Sequence, residues 1–141
     1  MSDAHLADPA RRRVLQALRA LRLWERAMPA MGVGDREAER KLMPAARAQG
    51  KAVIVNRPFR TGELFELVAG KPVPKWAVDE LKCRTWSQYF LKFVIPHPGV
   101  TCAIPATSSA AHMRENMEAL RGPLPDAKQR QRMIEDFERS V

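Results

Sequence analysis

An α/β fold with parallel strands is what this sequence predicts, and three observations predict it. Two short β-branched runs, Lys51-Ala52-Val53-Ile54-Val55-Asn56 and Val100-Thr101-Cys102-Ala103-Ile104, are separated by stretches of helical periodicity. Gly50 stands directly before the first run, the mark of a helix handing over to a strand. The apolar letters of that run do not alternate with polar ones, as expected of a strand buried on both faces. Strands separated by helices pair in parallel through right-handed crossovers. Two strands alone make a poor sheet, so a third is expected near residues 27–31.

The elements follow in order. Over residues 9–28, Val14, Ala17, Leu18, Leu21, Trp24 and Met28 recur at helical spacing, with Arg12, Arg19, Arg22 and Arg26 opposite them. Asp8 before Pro9 supplies an N-cap and a first-turn proline. Such a helix packs its Leu/Trp stripe on the rest of the chain, or lies on a membrane surface or partner. After a breaker-rich joint at residues 29–34, Asp35 caps a second helix that runs to about Gln49, with an interruption near Leu42 imposed by Pro44. The first strand comes next, then a loop holding a short helix over residues 63–68. Gly70-Lys71-Pro72-Val73-Pro74 forbids regular structure. A single long helix is expected over residues 76–95, burying Leu81, Trp86, Phe90, Leu91 and Val94 and stopped by Pro96 and Pro98. The second strand at residues 100–104 leads into a helix over residues 109–120. A Gly122-Pro123-Leu124-Pro125 break then precedes a charged helix over residues 126–140.

Composition bounds the possibilities. With 141 residues, 45% hydrophobic and 28% charged, the chain fits one globular domain with a real core. No apolar run spans a bilayer, and Arg19 and Arg22 interrupt what would be the core of a secretory signal. A soluble, cytoplasmic chain with no membrane partner is expected. Asp3, Asp8 and Glu25 weigh against an Arg-rich transit peptide. Cys83 and Cys102 have neither metal-ligand nor redox spacing, so two buried reduced thiols are expected and no metal. The net charge of +8 is spread from Arg11 to Arg132 among acidic residues, without an aromatic-interleaved patch, so no nucleic-acid partner is expected.

The segment with the most chemistry is Thr101-Cys102-Ala103-Ile104-Pro105-Ala106-Thr107-Ser108-Ser109, followed by His112 and Arg114-Glu115-Asn116. A strand ends, a turn bearing hydroxyls follows, and a helix begins. Free N–H groups at that helix start, with Thr107, Ser108 and Ser109 beside them, suit a phosphate. The same hydroxyls also serve simply as N-caps. His112 and Asn116 share one helical face, where a ring and an amide can meet a nucleobase. Cys83 with His97 offers a thiol and a base, but a cysteine within an apolar helix is a core residue. Asp79, Glu80 and Glu115 form no defined acid pair.

Residues 33–137 resemble the C-terminal half of an aldo/keto reductase. Ile104-Pro105 with the Ser/Thr turn and Glu115-Asn116 resembles the last strand and following helix of that family. Val53-Ile54-Val55-Asn56-Arg57-Pro58-Phe59 resembles the preceding strand. Gly70-Lys71-Pro72-Val73-Pro74-Lys75-Trp76, Trp86-Ser87-Gln88-Tyr89-Phe90-Leu91-Lys92 and Asp35-Arg36-Glu37-Ala38-Glu39 match further segments in the family's order. The resemblance implies a partial (β/α)8 TIM-type barrel over residues 33–141, preceded by a non-matching segment at residues 1–32 that carries the amphipathic helix. It implies an oxidoreductase cofactor, NADP(H). Thr107 and Ser108 would bind its 2′-phosphate, His112 would contact the adenine, and Glu115 with Asn116 would reach the adenine's polar edge. Arg57 and Phe59 would lie over the pyrophosphate. Ala106 stands where many members carry a Lys that pairs with the phosphate, and His112 where many carry Arg, which leaves NADP against NAD open; Asn56 replaces the aromatic residue on which nicotinamide often stacks. No catalytic residue is assigned. The family's Asp, Tyr, Lys and His come from its other half, and the chain's single tyrosine, Tyr89, falls inside a helix. A truncated or split barrel, inactive alone and associating with itself or with a complementing N-terminal half, is the alternative expectation.

Overall fold

The computed structural model describes residues 31–141. The amphipathic helix expected over residues 9–28 lies outside the described residues, as does the expected third strand except for Met31, which is buried and outside any strand.

The chain opens with two short helices, α1 (Glu37–Arg40) and α2 (Leu42–Ala48). Pro44 explains the break: it has no N–H for the Arg40 carbonyl and its ring crowds that carbonyl, so Lys41 leaves helical geometry at φ −121° and ψ −51°. Arg36, not Asp35, occupies the N-cap; Asp35 instead accepts a 3.4 Å hydrogen bond from the Glu37 N–H. At the far end Gly50 takes φ +62°, donating to Arg47 O (3.0 Å) while Lys51 donates to Ala46 O (2.9 Å). This paired closure turns the chain out of α2 and into the first strand.

Strand β1 (Ile54–Val55) pairs in parallel with β2 (Cys102–Ala103), Ile54 opposite Cys102 and Val55 opposite Ala103. The ladder continues at both ends through Thr101 N–H to Val53 O (2.8 Å) and Ile104 N–H to Val55 O (2.7 Å). Both strands are shorter than the runs that predict them, and β1 is only half-buried on one face: Val53 and Val55 point into the core while Ile54 is partly exposed. Cys102 is exposed, which corrects the expectation of two buried thiols; Cys83 is buried.

Between the strands lie a 3₁₀ turn (Arg60–Gly62), α3 (Glu63–Leu67), α4 (Lys75–Leu81) and α5 (Trp86–Val94). The single helix expected over residues 76–95 is therefore two. Lys82 takes the left-handed conformation at φ +58°, Cys83 N–H donates to Ala77 O (3.0 Å), and a new helix starts at Thr85. Thr85 Oγ1 accepts the Gln88 N–H (3.4 Å), and Gln88 Oε1 accepts the Arg84 N–H (2.8 Å). Thr85 with Gln88 three residues on is a helix-start signal written in the sequence, although here Gln88 holds the N–H of the residue before the cap. After β2 come α6 (Ala110–Glu118), capped by Ser109, and α7 (Ala127–Ser140), capped by a reciprocal Asp126–Gln129 pair.

One connected core joins these parts. Phe90 of α5 is its hub, meeting Phe59, Phe65, Trp86 and Phe137 at ring-centroid separations of 5.5–6.4 Å. Tyr89 donates its hydroxyl to Met133 O (3.0 Å), tying α5 to α7. Among the described residues no helix is long and apolar enough to cross a membrane.

Candidate functional site

The two strands end side by side, and the loops leaving their C-terminal ends bound a cavity of about 590 Å³. The β1 loop contributes Asn56, Arg57 and Phe59; the β2 loop contributes Ala106 and Thr107; α6 contributes His112, Glu115 and Asn116; α5 contributes Ser87. Ligands of open parallel α/β folds bind outside the carboxyl ends of the strands, because there the loops diverge and the helix N-termini converge.

Six of the seven residues singled out from the sequence meet on this wall: Arg57, Phe59, Thr107, His112, Glu115 and Asn116. Ser108 does not; it is solvent-exposed in the turn before α6. The backbone between residues 57 and 112 could have scattered them. It does not, because parallel pairing of β1 with β2 puts both strand ends at one edge of the sheet.

The α6 start is organised by its own hydroxyls. Thr107 Oγ1 accepts the Ser109 N–H (3.1 Å) and Ser109 Oγ accepts the His112 N–H (3.3 Å). These two side chains therefore act as caps, which leaves their O–H hydrogens free to donate outward. Phe59 and Phe65 form the apolar side, with centroids 5.0 Å apart and in contact with Phe90. A flat ring seated there would extend the aromatic cluster.

The polar side is more selective. The Asn56 Oδ1 is buried and has no hydrogen-bond partner among the described residues. Asn116 is 6% exposed, and among the described residues its amide makes no hydrogen bond, so a donor and an acceptor remain uncommitted. Arg57 is exposed and forms no ion pair among the described residues. The Glu115 carboxylate accepts a hydrogen bond from Ser87 Oγ. That bond holds it below the usual glutamate range against the opposing effect of burial, with Thr85 and His112 adding to the lowering. It is thus an ionised acceptor at neutral pH.

Sequence reasoning missed Ser87 and Phe65 as wall residues. Phe65 at i+6 from Phe59 becomes a neighbour only because Arg60, Thr61 and Gly62 take φ of +49°, +57° and +100° and reverse the chain. The other two weighed constellations stay apart from the cavity. Cys83 is a core thiol pushed up to about 11 by burial, and His97 has its Nδ1 occupied by the Gly99 N–H (3.0 Å). Asp79 pairs with Lys75 (2.6 Å) and Glu80 with Gln129 (3.0 Å), as solvated groups. No metal-ligating cluster of His, Cys, Asp and Glu occurs among the described residues. No protein-family model, curated protein or solved structure matches this chain, so the reading of the cavity rests on its residues and geometry.

Proposed function

We propose that the cavity at the strand ends binds the adenosine-phosphate part of a nucleotide, and that the nucleotide is NADP(H), as the resemblance to the aldo/keto reductases implies. The observation that carries this reading is the convergence of six separately named residues, from Arg57 to Asn116, on one cavity wall. Its size fits, since about 590 Å³ falls within the roughly 300–1,000 Å³ of small-molecule sites. So does its chemistry. A guanidinium without an ion pair among the described residues and two hydroxyls beside a helix N-terminus suit a phosphate, and an amide uncommitted among the same residues, with an ionised carboxylate, suits the polar edge of a base. In this reading residues 33–141 are the C-terminal strands and helices of a (β/α)8 barrel. The free thiols of Cys83 and Cys102 are in keeping with a reducing, cytoplasmic compartment.

When bound, NADP(H) supplies hydride chemistry to carbonyl or alcohol substrates. Among the described residues none is assigned the proton donor: Tyr89 is fully buried, its hydroxyl is spent on Met133 O, and burial pushes it far above its usual range. Binding, not turnover, is therefore the property to measure. Titration of the purified chain with NADPH is expected to give saturable binding, weakened about tenfold by Arg57→Ala through loss of one charge-assisted contact. Absence of binding at millimolar NADPH rejects the reading.

A second reading has its own observation. Ile104, Met113, Met117 and Leu120 are 41–58% exposed around β2 and α6. A chain that works through a partner covering this surface, as one half of a split barrel, is the alternative.

A further inference from the structure

Ser87 was given no role of its own by the sequence, yet among the described residues it makes a side-chain bond from α5 to an ionised group of the cavity. It is 5% exposed, in the first turn of α5. Its Oγ lies 2.9 Å from Thr85 Oγ1 and is hydrogen-bonded to Glu115 Oε1. An ionised carboxylate only accepts, so the Ser87 hydrogen must go to Glu115, with Thr85 Oγ1 beside both groups. Thr85 Oγ1 in turn accepts the Gln88 N–H (3.4 Å), and Gln88 Nε2 donates to the Glu115 carbonyl (3.4 Å). The start of α5 is thereby fastened to α6 at both the carboxylate and the backbone of one residue.

Oε1 is committed by this arrangement. Thr85 also supports the carboxylate, and Glu115 lines the cavity. We propose that Ser87 is a positioning residue that holds the Glu115 carboxylate as a fixed acceptor on the cavity wall, so that the cavity selects ligands presenting an N–H donor, here a nucleobase bearing an amino group. This rests on the nucleotide reading above. The charged and titratable groups facing Glu115 are His112, three residues earlier on α6, and Arg57 from the β1 loop on the same wall.

The test compares adenosine 2′,5′-bisphosphate with its purine counterpart, in which hydrogen replaces the 6-amino group, on the full chain. The wild-type chain is expected to prefer the amino-bearing nucleotide about tenfold, as a site built around a hydrogen bond discriminates against a ligand lacking it. Ser87→Ala is expected to cut the preference to roughly threefold, and Ser87→Thr, which keeps the hydroxyl, to restore it. A merely structural serine would weaken both nucleotides equally and leave the ratio alone. Equal binding by the wild-type chain, or an unchanged ratio in a folded Ser87→Ala, overturns the proposal. Should Ser87→Ala not fold, Glu115→Leu, which removes the acceptor from the same contact, must abolish the preference. If the wild-type chain binds neither nucleotide, the nucleotide reading has failed, and the Ser87 contact is decided by NMR titration of the Glu115 carboxyl. A midpoint below the ordinary glutamate range that rises in Ser87→Ala supports positioning; a midpoint unmoved by the substitution overturns it.

Discussion

Lys92 is fully buried, and its ammonium donates to three backbone carbonyls: Leu81 O (2.7 Å), Arg121 O (2.6 Å) and Pro123 O (2.8 Å). It thus joins the end of α4 to the turn before α7, where loops leave carbonyls without partners. Lys92→Met keeps the stem but strands these carbonyls in the interior, and the expected loss is about 3 kcal/mol in urea unfolding. The same region sets an alkaline limit. The Cys83 thiol is raised from 9.0 to about 11, so between those values the folded chain holds a proton that the unfolded chain has released. Stability present below pH 9 is therefore lost as pH rises toward 11. Lys92, lowered by burial, works in the opposite direction, gaining stability as pH climbs toward its ordinary value. Cys83→Ala is expected to flatten the decline, read as the urea midpoint across that range. A decline of the same depth in Cys83→Ala removes the thiol from the explanation.

At the scale of elements, boundaries were readable where a single residue type imposes them. Pro44 interrupts the first helix pair, Gly50 closes it, and Asp126 opens α7, each by backbone chemistry that acts locally. The α4–α5 break was not read, because apolar spacing is continuous across it while the decisive signal is a capping pair of ordinary polar residues. Thr85→Ala removes that cap and is expected to cost about 1 kcal/mol in thermal or urea unfolding. Because Thr85 also backs Ser87, the same change is expected to raise the Glu115 midpoint, whereas a cap elsewhere, such as Asp126→Ala, is expected to leave it unmoved.

For the whole molecule, the cavity is the product of four segments brought to one edge of a two-stranded sheet. A ligand that binds there ties them together. NADPH at about a hundred times its Kd is expected to stabilise the chain by roughly 2.7 kcal/mol, a rise of several degrees in melting temperature. A chain that binds NADPH elsewhere would keep this shift in Arg57→Ala. The exposed apolar residues of α6 have their own consequence. Self-association is expected to appear as concentration-dependent elution in size-exclusion chromatography, and Met117→Lys with Leu120→Lys to suppress it. A monomer at all concentrations argues for a surface that stays open to solvent.

The sequence by itself determined the α/β order, the two strands, most helix ends and the short list of residues around the cavity. These follow from effects that act within a few positions: periodicity, proline, glycine and capping hydroxyls. Only the tertiary structure decided that Cys102 is exposed, that Ser108 faces solvent, and that Ser87 joins the wall. Those outcomes depend on which side of a two-residue strand or a tight turn a side chain leaves. In elements so short, packing against α5 and α6 chooses the side and no local pattern does.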